Sequence, residues 1–275
     1  MNLGEVSLVG SILVFDSGFG GLSVLEAVKE LLPEKRYIYT FDNEAFPYGE
    51  LSDDTLIDRV NRIILALCET HSISIVIIAC NTASTLVLPS LRAKLDIPIV
   101  GVVPAIKPAA GLSVKKAIGL LATPATVNRE YTLALVNEFA NDCEVVLVGS
   151  TDLVKIAEEK IQGKIVDKEK LERIMQPFKD KVDCIVLGCT HFPLLREEIN
   201  EVLGKGYKVI DSGEAIANRT MQLLSERKKK GDIENTASLN EPNIAYYSAK
   251  NSDVEKLNKE LAPFGFTEIR RVPFF

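Results

Sequence analysis

The chain has 275 residues, 47% of them hydrophobic and 25% charged, a globular composition with room for one large or two medium domains and no need of disulfide or metal staples. Its formal net charge of −6 offers no positive field to collect phosphates, which excludes nucleic acid as the main partner. No apolar run approaches the roughly 18–20 residues that cross a bilayer, so no membrane partner is expected; Glu5 and Asp16 stand where a signal peptide has its basic residue and its cleavage site, so the expected address is cytoplasmic.

Along the chain, short apolar and β-branched runs predict strands at 12–15, 37–41, 73–79, 97–103, 117–122, 144–148, 184–187, 207–210 and 244–247. Amphipathic segments between them predict helices at 23–32, 54–70, 85–95, 127–140, 153–162, 168–178 and 194–203. Strands that are apolar nearly throughout and alternate with helices build parallel sheets covered on both faces, so the fold class is α/β. The polar segment 226–243, with its Lys228–Lys230 run and Pro242, reads as an exposed connection.

The five cysteines, Cys68, Cys80, Cys143, Cys184 and Cys189, are odd in number and contain no C-x-x-C pair, so reduced thiols are expected. Only two histidines, His71 and His191, are available, and no metal is expected. A P-loop is missing, and Gly18-Phe19-Gly20-Gly21 lacks the spacing of a dinucleotide fingerprint, so no nucleotide is expected either.

Ligand sites in open parallel sheets lie beyond the carboxyl ends of the strands, and three predicted strands end in polar clusters. The first runs into Asp16-Ser17-Gly18-Phe19-Gly20-Gly21, the second into Cys80-Asn81-Thr82, and the third into Cys189-Thr190-His191. In the last two, a cysteine and a nearby threonine lead into a predicted helix, whose free N–H groups favour an anion. Nearly the same number of residues separates Asp16 from Cys80 as Thr123 from Cys189, which suggests two α/β lobes of related topology facing each other across a cleft. One thiol on each side of a ligand suits two-base chemistry at carbon, in which one thiolate removes a proton and the opposite thiol returns one. Asp16 and His191 are placed to exchange protons beside the thiols, although alone they would also serve as a helix cap and a turn histidine. Cys68, Cys143 and Cys184 read as packing residues. Tyr48, Asn81, Thr82 and Thr190 offer neutral hydrogen bonds to carboxylates in place of an arginine fork.

The motifs Asp16-Ser17-Gly18-Phe19-Gly20-Gly21, Pro47-Tyr48-Gly49, Cys80-Asn81-Thr82-Ala83 and Gly188-Cys189-Thr190-His191-Phe192-Pro193 resemble, in order and spacing, those of the glutamate racemases. His191 sets the chain apart from the aspartate racemase relatives, which usually carry an acidic residue there, and Phe19 replaces the family's common Val or Ile. The resemblance implies cofactor-independent interconversion of L- and D-glutamate for peptidoglycan synthesis. It also implies two similar domains, 1–98 with 208–275 and 99–207, the active site between them. By position, Cys80 and Cys189 are the acid/base thiols, with Asp16 and His191 assisting. Asp16, Ser17, Tyr48, Gly49, Asn81, Thr82, Thr190 and His191 match substrate-binding positions, with Thr123 or Thr126 adding a contact. A homodimer is plausible by the same resemblance. The alternatives are racemisation of aspartate or another small amino acid, and a solute-binding module that closes on an amino acid without chemistry.

Overall fold

The β-branched runs form ten strands in a computed structural model that describes residues 10–229 and 241–273: β1 (Ser11–Asp16), β2 (Tyr37–Phe41), β3 (Ile73–Ile78), β4 (Ile99–Gly101), β5 (Ala117–Ala122), β6 (Glu144–Gly149), β7 (Cys184–Leu187), β8 (Lys208–Ile210), β9 (Ile244–Tyr247) and β10 (Glu268–Arg271). Every pairing is parallel, in two sheets ordered β10-β9-β2-β1-β3-β4 and β6-β5-β7-β8. The second order repeats the β2-β1-β3-β4 part of the first, so the two lobes share a topology, and the C-terminal strands extend only the first. Both sheets are covered on both faces. Along β1, Ile12 and Val14 enter one apolar layer while Leu13 and Phe15 enter the other; along β7, Ile185 and Leu187 part in the same way from Cys184 and Val186.

In each sheet the chain leaves the first strand to one side and returns on the other, which opens a crevice at the carboxyl ends. The crevice lies between β1 and β3 in one lobe and between β5 and β7 in the other. Asp16 and Cys80 mark the first pair of ends, Thr123 and Cys189 the second.

The sheet pairings move both expected domain boundaries. Residues 99–101 pair with β3 through Val76↔Ile99 and stay in the first lobe, whereas 208–210 pair with β7 through Cys184↔Lys208 and stay in the second. Three-residue edge strands carry the same apolar signal whichever sheet they join. Helices Ile106–Leu112, Gly213–Lys229 and Val254–Leu261 and strand β10 were not expected. The first carries Pro108, and the second buries only a thin stripe of Ile216, Ala217, Thr220 and Leu224 beyond Gly213. The predicted helix 127–140 divides into Pro124–Val127 and Glu130–Phe139 because Arg129 is extended. Of the segment read as a connection, 226–229 continue a helix and 230–240 lie outside the described residues, as do 1–9 of the N-terminal stretch. Among the described residues no helix is long and apolar enough to cross a membrane.

Candidate active site

The strand-end clusters meet in one pocket between the lobes. From the first lobe come Ser17, Pro47, Tyr48, Gly49, Cys80, Asn81 and Thr82; from the second come Thr123, Thr151, Val154, Cys189, Thr190 and His191. Cys80 is the N-cap of helix Asn81–Arg92, and Cys189 follows β7 by way of Gly188. Both thiols are buried and open into the same space from opposite lobes. His71 lies apart, with Nε2 2.8 Å from the Tyr246 hydroxyl.

Two expected residues stand behind the wall. Asp16 is fully buried; it accepts from Gly18 N at 3.0 Å and from Thr190 Oγ1 at 3.0 Å, and so holds the glycine turn of one lobe to the threonine of the other. Thr126 is also buried and reaches the ligand space only through Thr82 and Thr123; the three hydroxyls lie 2.9–3.3 Å apart. Ion pairs Arg129–Asp53 and Lys155–Glu50 also tie the lobes together.

The glycine turn does more than bend the chain. A Cβ on Gly20 would lie 2.4 Å from His191 Nδ1 and 2.6 Å from Thr190 Oγ1, and one on Gly18 would lie 2.3 Å from Glu158 Oε1. The missing side chains thus admit the opposing lobe. Ser23 Oγ donates to Thr190 O at 2.8 Å in the same interface.

The two thiols have different surroundings. Burial pushes the Cys80 thiol well up, and the negative charges of Asp16 and Cys189 push the same way against the Ala83 N–H and the Ser17 hydroxyl, so Cys80 rests protonated. Cys189 Sγ lies 3.8 Å from His191 Nδ1. Burial alone would lower the basicity of His191. Its hydrogen bonds to Cys189 and Glu158 and the charge of Glu158 outweigh that cost, and the imidazole titrates well above its ordinary range. A protonated Nε2 donates to Glu158 Oε1 at 2.6 Å. Burial also raises the Asp16 carboxyl, against the attraction of His191 and the donors on Gly18 and Thr190.

Glu158 was missed. It sits on helix Asp152–Ile161, where Leu153, Val154, Ile156 and Ala157 are buried. One turn on from Val154, it puts a carboxylate in the apolar stripe, a signal that was there to read. Tyr48 differs from expectation: it lines the pocket, but its hydroxyl donates to Asp42 Oδ2 at 2.7 Å and is committed to that carboxylate. Asn81 Oδ1 is buried with no protein partner, an acceptor that an ammonium group can satisfy.

The family model described as Asp/Glu/Hydantoin racemase matches residues 18–220. Glutamate racemase of Vibrio vulnificus is 51% identical over 269 residues, covering 98% of this chain and 99% of the relative. That of Aliivibrio fischeri is 55% identical over 259 residues, with 94% and 96% covered. The crystal structure of Escherichia coli glutamate racemase with L-glutamate and the activator UDP-MurNAc-Ala superposes with a TM-score of 0.89 at 46% identity, covering 96% of this chain and 98% of that one.

Proposed function

The chain belongs to the Asp/Glu/hydantoin racemase family, and from that premise we propose that it interconverts L- and D-glutamate without a cofactor, by a two-base mechanism that supplies D-glutamate for peptidoglycan. The observation that carries this reading is the placement of Cys80 and Cys189 at matching ends of β3 and β7, opening into one pocket from opposite lobes.

In the proposed reaction the thiolate of one cysteine takes the α-proton. An S–H bond forms, the C–H bond breaks, and its electron pair stays on the substrate, delocalised into the α-carboxylate. The opposite thiol then protonates the other face and is left as a thiolate. We assign Cys189 to the proton of L-glutamate and Cys80 to that of D-glutamate, following motif order. His191, held by Glu158, sets a protonated imidazole beside Cys189, and Asp16 and Ser17 are the polar neighbours of the Cys80 side. Asn81 supplies an acceptor for the substrate ammonium. Thr82, Thr123, Thr190, Gly49 and Tyr48 border the space for the carboxylates. Cytoplasmic action fits the five unpaired cysteines. A homodimer accords with the exposed Tyr131, Leu133 and Leu147 on the second lobe, and sedimentation tests it.

The deciding experiment follows optical rotation of L-glutamate and L-aspartate with purified protein in a metal chelator and no added cofactor. Loss of rotation from glutamate, with deuterium entering the α-carbon in deuterated water, is expected. No rotation change, or activity that needs pyridoxal phosphate or a metal, overturns the proposal.

A further inference from the structure

Asp42 follows β2 as the next residue after Phe41, and its side chain is fully buried. Four donor groups converge on it. Arg59 binds it bidentately, Nε to Oδ2 and Nη2 to Oδ1, each at 2.7 Å; Ser248, just past β9, donates to Oδ1 at 2.5 Å; and the Tyr48 hydroxyl donates to Oδ2 at 2.7 Å. Asp42, Arg59 and Ser248 do not line the pocket, whereas Tyr48 does, beside Cys80. The tyrosine is thus the route by which the carboxylate reaches the ligand space.

A carboxylate held by a guanidinium fork has a fixed position, and a phenol bonded to it has a fixed ring. Tyr48 is 2% exposed and packs at 6.1 Å from the Phe15 ring, in the same apolar layer as Cys80. Its own loop is one turn of three residues, Tyr48–Glu50, too short to set the ring angle alone. The C-terminal part of the chain therefore touches the site indirectly, through Ser248 and Asp42.

We propose that Asp42 is a positioning residue for the reaction, fixing through the Tyr48 hydroxyl the Tyr48–Gly49 wall against which the substrate is seated. This rests on the racemase reading given above. Burial opposes ionisation of Asp42, but the Arg59, Ser248 and Tyr48 hydrogen bonds override it and keep the carboxyl below its ordinary range, so the acceptor stays charged through neutral pH.

The test is a double-mutant cycle of Y48F and D42N, with KM and kcat measured for both enantiomers. Y48F removes only the hydroxyl. A misplaced wall weakens substrate seating more than chemistry, so KM rises about 5- to 20-fold while kcat stays within about threefold. D42N raises KM at least as much, and the double variant is no worse than D42N, because both changes break one connection. A general loss of folding would not give that split. Where D42N does not fold, S248A replaces it in the cycle, since it takes one donor from the same carboxylate and leaves Arg59 paired; its KM effect, smaller than that of Y48F, disappears in the Y48F background. Wild-type KM values in Y48F, or penalties that multiply in the double variant, overturn the proposal; multiplication would mean that the hydroxyl acts on the substrate itself. Failure of the wild-type protein to racemise glutamate overturns the reading beneath it, a result distinct from either of these.

Discussion

Replacing Glu158 by Gln keeps the shape of the side chain and removes its charge. Oε1 of Glu158 lies 2.6 Å from His191 Nε2 and accepts from Phe19 N at 2.7 Å; the His191 side chain is 2% exposed and that of Glu158 13%. Solvent therefore cannot replace the lost partner. A hydrogen bond to a charged group contributes about 1.5–3 kcal/mol, and about 1.4 kcal/mol is a factor of ten, so a full loss at the reacting step lowers kcat about 10- to 150-fold. Because His191 faces Cys189, the L-to-D direction, with Cys189 as base, shows the larger primary isotope effect on the α-hydrogen. The pH dependence has a definite sign. The folded value for His191 lies above the unfolded value of about 6.5, so its protonation contributes stability that is complete below about pH 6.5 and is lost as pH rises through the folded value. The stability difference between the wild-type protein and E158Q is therefore wide near about pH 6 and closes in alkali. Thermal denaturation at several pH values, with kcat and KM in both directions, measures both effects. An unchanged kcat together with a stability difference that ignores pH refutes the role given to the pair.

Three further outcomes follow from the same geometry. Cys→Ser at either Cys80 or Cys189 lowers racemisation in both directions, by more than the roughly 10²–10⁴ of one general acid or base; full activity in either single variant, measured by polarimetry, would leave one thiol acting alone. G20A forces a Cβ to within 2.4 Å of His191 Nδ1 and 2.6 Å of Thr190 Oγ1, two side chains already held by Glu158 and Asp16, so kcat falls at least about tenfold with an unchanged far-ultraviolet spectrum; wild-type kinetics would show that the lobes part without cost. D16N lowers activity and raises the melting temperature at neutral pH: the folded value of Asp16 is raised, so its ionisation costs stability, a cost absent below about pH 3.9 and complete above the folded value. A melting temperature lowered equally at acid and neutral pH would contradict that sign.

The strand ends were legible because buried parallel strands are apolar throughout, so the first polar residue after each run marks the carboxyl edge where ligands sit. Asp16, Cys80 and Cys189 stand at such edges, and cysteines placed there are distinguishable from Cys184, which lies inside β7. What depends on side-chain direction was harder. Glu158 and Glu159 are neighbours of one type, yet the side chain of the first is 13% exposed and that of the second 51%; only helical phase separates them. Tyr48 reads as a donor to the ligand until Asp42 is seen to take its hydroxyl. Asp42 itself follows an apolar run as Asp16 does, but the contribution of Ser248 comes from just past β9, 206 residues later in the chain, and no local pattern announces it. The lobe to which 99–101 and 208–210 belong is settled by pairing partners, which short edge strands do not encode.

The likeness of the two lobes, set beside the unlikeness of the two thiols, bears on how the proposed reaction runs in both directions. Matching strand orders bring Cys80 and Cys189 to matching ends, but Cys80 is held as a thiol among Asp16, Ser17 and its own burial, whereas Cys189 faces a cationic His191. The negative charge of Cys189 itself opposes ionisation of Cys80, so two thiolates across one ligand are disfavoured. Cys80 therefore holds a proton ready to deliver. Turnover of L-glutamate moves it from Cys80 to the product while Cys189 gains the substrate's α-proton, and turnover of D-glutamate reverses the exchange with the same total. The charge of the site is conserved in either direction, and it is the asymmetry of the neighbours, not of the fold, that keeps the proton on Cys80 before L-glutamate arrives.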